Sequence, residues 1–493
     1  MTAQPFPDAT ADRTPGRGTP DPAVYREILD AAHAHALRYL EGLPQRPVLA
    51  RADDAELHEL LGGPLPRTGA GPGTVLDQLA HGVDRGLVPS GNGRYLGYVV
   101  GGTLPAALGA DWLTSAWDQN CIVHDISPAT AVVEEVCRNW LVELFGLPAR
   151  TSAAFVPACT HAELLCLAAA RHHVLARHRW DVAARGLQGA PPVKVLVNDS
   201  SHAAVIRSLQ FLGLGGSIER IPVDAEARML LSELDAAVRA ADGAPLIVCA
   251  QAGEINTGGI DHLRAVCESA HAADGWVHLD GAFGMWAAAS PTLRRNVADG
   301  IELCDSWATD AHKWLNTPYD GAVALIADPD AHRAALPLDA SYLQLQDEQR
   351  HPVQWGLEVS RRSRAFPLWA ALRSLGADGV ADLVDRCCAH ARHLAALLRG
   401  EPGVTVLNDV SLNQVLLTFG PAHDPAETTD PAEVDARTLR VAHALQAEGE
   451  SWASPSTWRG RTVLRLCLIN WATDEQDVDR AAAALLRAHR TVR

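Results

Sequence analysis

Lysine is nearly absent from this chain. Of its 42 lysines and arginines, only Lys194 and Lys313 are lysine. Arginine does most of what a surface lysine does, but its guanidinium stays protonated and cannot act as an amine nucleophile. A retained lysine therefore points to a primary amine that must form a Schiff base. Lys194, in PPVKVLVND, shows that a lysine also persists here without obvious chemistry, so rarity alone leaves both readings open. Lys313 stands in WATDAHKWLNTPYDG, between His312 and Trp314.

Two further residues share its setting. Asp280 closes the apolar run WVHLD and is followed by the small Gly281 and Ala282. A carboxylate there is expensive to bury without a cationic partner. A protonated pyridine nitrogen is such a partner, and small neighbours let a flat ring lie close; a helix N-cap or a buried ion pair is the competing account. His202, in NDSSHAAVIRSL, reads by itself as a helix-start histidine. Taken together, a lysine, an aspartate and a histidine just past three apolar runs suggest one aromatic cofactor, pyridoxal phosphate.

The elements that must position these residues are legible around them. VKVLVND (193–199), PLIVCAQAG (245–253), GWVHLDGA (275–282) and GAVALIAD (321–328) read as buried strands. Helical patterns such as HAELLCLAAARHHVLARH and DHLRAVCESAHAAD alternate with them. That alternation predicts an α/β fold with a mainly parallel sheet covered on both faces. Ligands of such sheets bind at the C-terminal ends of the strands, where all three candidates lie. Residues 1–21, rich in Pro, Thr, Asp and Gly, read as a loose tail. Residues 22–90 open on an amphipathic helix and pass through a Gly/Pro-rich stretch at 62–73. A large domain over 91–375 and a smaller α+β domain over 376–493 complete the expected organisation.

Composition narrows the classes. With 493 residues, 47% of them hydrophobic, the chain can bury a large core. The formal net charge of −17 and the lack of a long basic run argue against nucleic acid or an anionic membrane as partner. No apolar run reaches the roughly 18 residues of a membrane span, and no signal-peptide layout opens the chain. Ten cysteines without a C-x-x-C pair read as reduced, which predicts a cytoplasmic protein. The groups HAHAL and RHHVLARH match no metal-site spacing and read as helix-surface histidines, so no metal site is expected. SRRSR (360–364) reads as structural.

The order and spacing of these elements resemble the group II pyridoxal-phosphate decarboxylases, the family of aromatic L-amino acid, glutamate and tyrosine decarboxylases. The resemblance covers roughly residues 85–375 and, more loosely, the remainder. It rests on His312-Lys313-Trp314 with Ser306 and Asp310 in register, on Asp280-Gly281-Ala282, on His202 after a strand, and on PACTHAELLCLAAAR as a phosphate loop before an Ala-rich helix. It implies pyridoxal-phosphate fold type I, the aspartate aminotransferase-like architecture, with an N-terminal helical segment that packs on the partner subunit of a homodimer. It further implies that Lys313 carries the cofactor, that Asp280 pairs with the pyridine nitrogen, and that His202 and Ala282 flank the ring. Cys159, Thr160, Ser306 and His312 are expected around the phosphate, where amides at a helix start suit an anion.

The chain departs from the family in places that bear on the substrate. Pro157, Ala158 and Cys159 stand in the phosphate loop where relatives carry Gly, Ser or Ala, and Pro157 has no backbone N–H to offer. Ile255 stands where a threonine often faces the cofactor, which leaves Asn256 as the neighbouring candidate. The substrate wall has Tyr98, Val99, Val100, Gly101 and Gly102, then Trp117, Gln119 and Asn120, in place of rings and a proline. Such a pocket is wider and more polar; glycines that merely shape a turn are the alternative. Tyr98, Val100, Trp117 and Asn120 are the substrate candidates, and the expected substrate is an L-amino acid other than a plain aromatic one. Tyr342, in the loop PLDASYLQLQDEQRHPVQW, falls where the family's tyrosine protonates the carbon left by CO₂. This predicts a carboxy-lyase that gives an amine. Oxidative deamination to an aldehyde, β-elimination of an S-conjugated cysteine and transamination remain the alternatives, since fold and cofactor do not separate them.

Overall fold

The computed structural model describes residues 22–338, 345, 349–421 and 430–492. Seven strands form the larger sheet: β1 (Ser152–Val156), β2 (Lys194–Asn198), β3 (Ile218–Ile221), β4 (Leu246–Gln251), β5 (Trp276–Asp280), β6 (Ser306–Asp310) and β7 (Ala322–Ile326). Their order is β1-β7-β6-β5-β4-β2-β3. The strands from β6 to β3 pair parallel, and β7 runs antiparallel to both β1 and β6. The mainly parallel sheet of fold type I is therefore present, and the four strands expected from apolar runs become β2, β4, β5 and β7. Sequence reading missed β1 and β3; SAAFV and IERI are too short and too mixed to stand out.

Strand side chains alternate between two faces. Leu196, Val248, Val277, Leu279 and Trp307 point into one core, and Val195, Val197, Cys249, Trp276 and Ala308 into the other. The second core is closed by the Cys159–Arg177 helix, which begins only three residues after β1 ends. By the same alternation His278 and Asp280 lie on the Trp276 side of β5, beneath that helix.

A second sheet, with order β10-β11-β9-β8, is antiparallel throughout: β8 (Val404–Val406), β9 (Gln414–Phe419), β10 (Ser454–Trp458) and β11 (Arg461–Cys467). The Ala365–Leu398 helix breaks at Gly376, where φ is 65°, a conformation glycine adopts without steric cost. Its first part packs in the large core, and Ala391, Leu394 and Leu398 pack in the small one. All ten cysteines are buried and free. Among the described residues no helix is long and apolar enough to cross a membrane.

Candidate active site

Lys313, Asp280 and Cys159 come together at the C-terminal edge of the large sheet. The chain leaves β6 at Asp310, and Lys313 Nζ lies 3.0 Å from Asp310 Oδ2. The other carboxylate oxygen of Asp310 accepts the amide of Cys159, the first residue of the helix, at 2.7 Å. The amide of Asp310 donates to the Ala282 carbonyl at 2.9 Å, which ties the turn after β5 to the end of β6. The Ala282 amide in turn donates to Asp280 Oδ1 at 3.1 Å. Burial pulls the Lys313 ammonium toward neutrality, but the carboxylates of Asp310 and Asp280 outweigh it and hold the amine above its ordinary value. A Cβ on Gly101 would collide with the Lys313 carbonyl oxygen, so the Tyr98–Gly102 segment lies directly against this turn.

His312 is buried, with its ring centroid 4.3 Å from that of Tyr319 and Nε2 3.6 Å from Asp310. Its Nδ1 is a buried polar atom with no hydrogen-bond partner among the described residues. Burial pushes its imidazole toward the neutral form. Ala158, the residue before the Cys159–Arg177 helix, offers no side-chain cap, and the start of this 19-residue helix points a positive dipole end at the same place, where Asp310 already takes the first amide. A helix start, an imidazole nitrogen left without a partner, an amine and a carboxylate brought together at the strand ends fit an anionic, aldehyde-bearing aromatic cofactor. Thr160 is half-buried in the first turn of this helix.

The remaining candidates lie elsewhere. His202 is exposed at the start of the Ala203–Phe211 helix, and its Nδ1 accepts the Ala204 amide at 3.2 Å, the helix-start role a lone histidine suggests. It shares a cleft of about 580 Å³ with Asn256, Ile255 and Trp458; neither Lys313 nor Asp280 lines that cleft. β2 is two strands from β5, about 10 Å across the sheet. Asn256 is engaged: its Nδ2 donates to Glu254 and its Oδ1 accepts from Ser456 Oγ at 2.6 Å. Ser306 sits at the opposite end of β6 from Asp310, about 13 Å along the strand. Its hydroxyl is spent on Trp276 Nε1 and His278 Nδ1, each at 2.9 Å, inside the sheet and away from the strand ends. Tyr342 lies outside the described residues.

In the substrate region Tyr98 is 57% exposed, takes a left-handed backbone with φ of 50°, and stacks on Trp452. Val100 is half-buried one residue before Gly101. Trp117 is exposed against the Phe366 edge, and Asn120 binds Ser360 Oγ and the Arg361 amide. Sequence reading missed Arg465 of β11. It is 4% exposed, its guanidinium lies 6.0 Å from the Tyr98 ring centre, and its Nε is without a partner. It also missed Glu163 and His278, which are wholly buried and joined at 2.5 Å. Their only trace in the chain is one acid in an Ala/Leu helix and one histidine in an apolar strand.

The family described as the pyridoxal-dependent decarboxylase conserved domain matches residues 86–419. The chain belongs to this family. It is therefore a pyridoxal-phosphate-dependent enzyme of the decarboxylase type. Among its relatives is L-2,4-diaminobutyrate decarboxylase of Acinetobacter baumannii, 27% identical over 359 residues that cover 69% of each chain. Phenylacetaldehyde synthase of Arabidopsis thaliana is 24% identical over 459 residues, covering 90% of this chain and 91% of that one. The fold matches that of Oryza sativa TDC solved with PLP and tryptamine, with a TM-score of 0.88 at 22% identity, over 96% of this chain and 99% of the other.

Proposed function

We propose that this pyridoxal-phosphate decarboxylase acts on an L-amino acid other than a plain aromatic one and releases CO₂ and an amine. The observation that carries this reading is the Lys313 amine held 3.0 Å from Asp310, beside Asp280 and the start of the Cys159–Arg177 helix. Lys313 would hold the cofactor through its aldehyde, Asp280 would keep the ring nitrogen protonated, and Ala282 would lie under the ring. His202 would swing from its exposed helix start to cover the other face. The helix start at Cys159 and Thr160, with His312, would lie around the phosphate, while the Cys159 amide stays with Asp310. When bound, the cofactor supplies the electron sink, and the protein selects which bond breaks.

Tyr98, Val100, Trp117 and Asn120 would shape the substrate pocket. The glycine approach at Gly101 supports a wall built from backbone in place of rings. Buried Arg465 beside Tyr98 supplies a positive charge suited to a substrate carboxylate. Tyr342 would protonate the carbon from which CO₂ departs. A homodimer is part of the same proposal. The Pro22–Gly42 helix buries none of its residues within the chain and exposes Val24, Tyr25, Leu29, Leu37 and Leu40, an apolar stripe suited to a second copy.

Borohydride reduction of the holoenzyme followed by peptide mapping is expected to find the pyridoxyl group on Lys313; finding it on Lys194 overturns the assignment. Incubation with candidate amino acids, assaying CO₂, amine, ammonia and peroxide, tests the reaction. The likeness to an aldehyde synthase favours one second reading, decarboxylation coupled to oxidative deamination. Aldehyde and peroxide as main products from the unmodified enzyme would establish it.

A further inference from the structure

Behind Asp280 lies a group of polar side chains that the family reaction, as described above, does not use. Glu163, on the helix that starts at Cys159, is wholly buried, and so is His278 of β5. Glu163 Oε2 lies 2.5 Å from His278 Nε2, and Cys159 Sγ lies 3.6 Å from Glu163 Oε1. His278 Nδ1 lies 2.9 Å from Ser306 Oγ, which also accepts from Trp276 Nε1. The donors then run in one direction. Ser306 donates to Nδ1 of a neutral imidazole, whose Nε2–H donates to the Glu163 carboxylate, while the Cys159 thiol satisfies its other oxygen. A carboxylate oxygen of Glu163, one of Asp280 and Cys159 Sγ all lie within 4.8 Å of one another. Two buried carboxylates thus face each other with one imidazole between them and the core.

A metal ion is the other occupant such a cluster invites. Both oxygens of Glu163 are already committed to donors, and burial pushes the Cys159 thiol well up, so it offers no thiolate. We propose that Glu163 and His278 form a dyad that shares one proton and, through the charge it places beside Asp280, sets how firmly Asp280 holds the proton on the cofactor's ring nitrogen. This rests on the reading that Asp280 faces that nitrogen. Both are wholly buried and would not touch the cofactor, so they are positioning residues acting through Asp280. With the dyad ionised, a second negative charge stands against Asp280, and the ring proton is held more tightly. With the dyad protonated, Asp280 acts alone.

The surroundings leave the dyad as the group that changes. Burial raises Glu163 first, and Asp280 adds to this while His278 opposes it, so the carboxyl titrates at about 7. Cys166 on the same helix and Cys249 on β4 face it as thiols that burial keeps protonated. Asp310 and Lys313, past β6, compensate each other at 3.0 Å.

The test uses holoenzyme loaded with pyridoxal phosphate carrying ¹⁵N at the ring position, whose chemical shift reports protonation directly. In the unmodified chain the ring nitrogen is expected to stay protonated as the pH rises past neutrality. In Glu163→Gln, which keeps the shape and removes the charge, the hold on that proton is expected to weaken about tenfold, a displacement of about one pH unit. His278→Gln is expected to shift the same way, and Glu163→Asp to recover part of the loss. Coincident titrations for the unmodified chain and both glutamine variants overturn the proposal. If Asp280→Asn itself leaves the ring nitrogen protonated, the assignment of Asp280 fails first; if Asp280→Asn loses the proton and Glu163→Gln keeps it, only the dyad fails.

Discussion

Two buried glutamates in this molecule meet opposite company. Glu134 is wholly buried and takes Arg361 on one oxygen at 2.5 Å and Arg350 on the other at 3.1 Å. Arg350 also donates to the Ala153 carbonyl at the start of the large sheet. Each carboxylate oxygen of Glu134 thus meets a guanidinium of the same chain, so the knot fastens the loop before residue 365 to the body. Glu163 has a single imidazole, with the carboxylate of Asp280 nearby. That region carries more negative than positive charge, and buried charge without a partner is costly. Such an imbalance suits a cationic group that arrives from outside, which the proposed role of Asp280 identifies with the protonated ring of the cofactor.

The comparison can be broken in several ways, beginning with the largest effect. Tyr342→Phe is expected to cut amine formation by about 10²–10⁴-fold, the usual weight of a general acid, with aldehyde and peroxide appearing instead. An unchanged amine rate would remove Tyr342 from the chemistry. Asp280→Asn should lower kcat/KM by about 10²–10³-fold, since losing one member of a buried charge pair costs about 3–5 kcal/mol. Retention of near-full activity would mean that the excess charge serves no cofactor.

Glu134→Ala is expected to lower unfolding free energy by about 3–5 kcal/mol by stranding two buried guanidiniums. Denaturant titration checks it, and a loss below about 1 kcal/mol would mean that water solvates the knot. The Glu163 effect on stability carries a sign. Its carboxyl is raised from 4.5 to about 7 in the folded state. Its contribution is therefore fully present below the unfolded value and is lost as the pH rises to 7. Cofactor-free protein should lose about 3 kcal/mol more between pH 4.5 and 7.5 than Glu163→Gln does over the same span. Taking the difference removes the shared contributions of Asp261 and Glu254, which burial also raises. The smallest effect sharpens the contrast: replacing Glu134, Arg350 and Arg361 together by Met should change stability by only about 1 kcal/mol, because a fully paired buried knot adds little over apolar packing.

The sequence by itself determined the cofactor chemistry. The near-absence of lysine narrowed the choice to Lys194 and Lys313, the neighbours of Lys313 decided it, and short apolar runs marked the strand ends where Asp280 and Lys313 stand. These signals are local: an apolar stretch, a chain turn and a reactive side chain within a few residues. Sequence reading passed over His278, although once β5 is known its period-two alternation puts His278 on the face of Asp280. Which element covers that face is a long-range fact. Only the tertiary structure laid the Cys159–Arg177 helix across it, bringing Glu163 to a histidine 115 positions away. The same packing drew Ser306 into the sheet with Trp276 and His278, at the far end of the strand that delivers Asp310. It also brought Arg465 from the second sheet to Tyr98. Charge compensation inside a core depends on neighbours from different elements. The chain order therefore names the candidate reacting groups, and the packing decides which charges surround them.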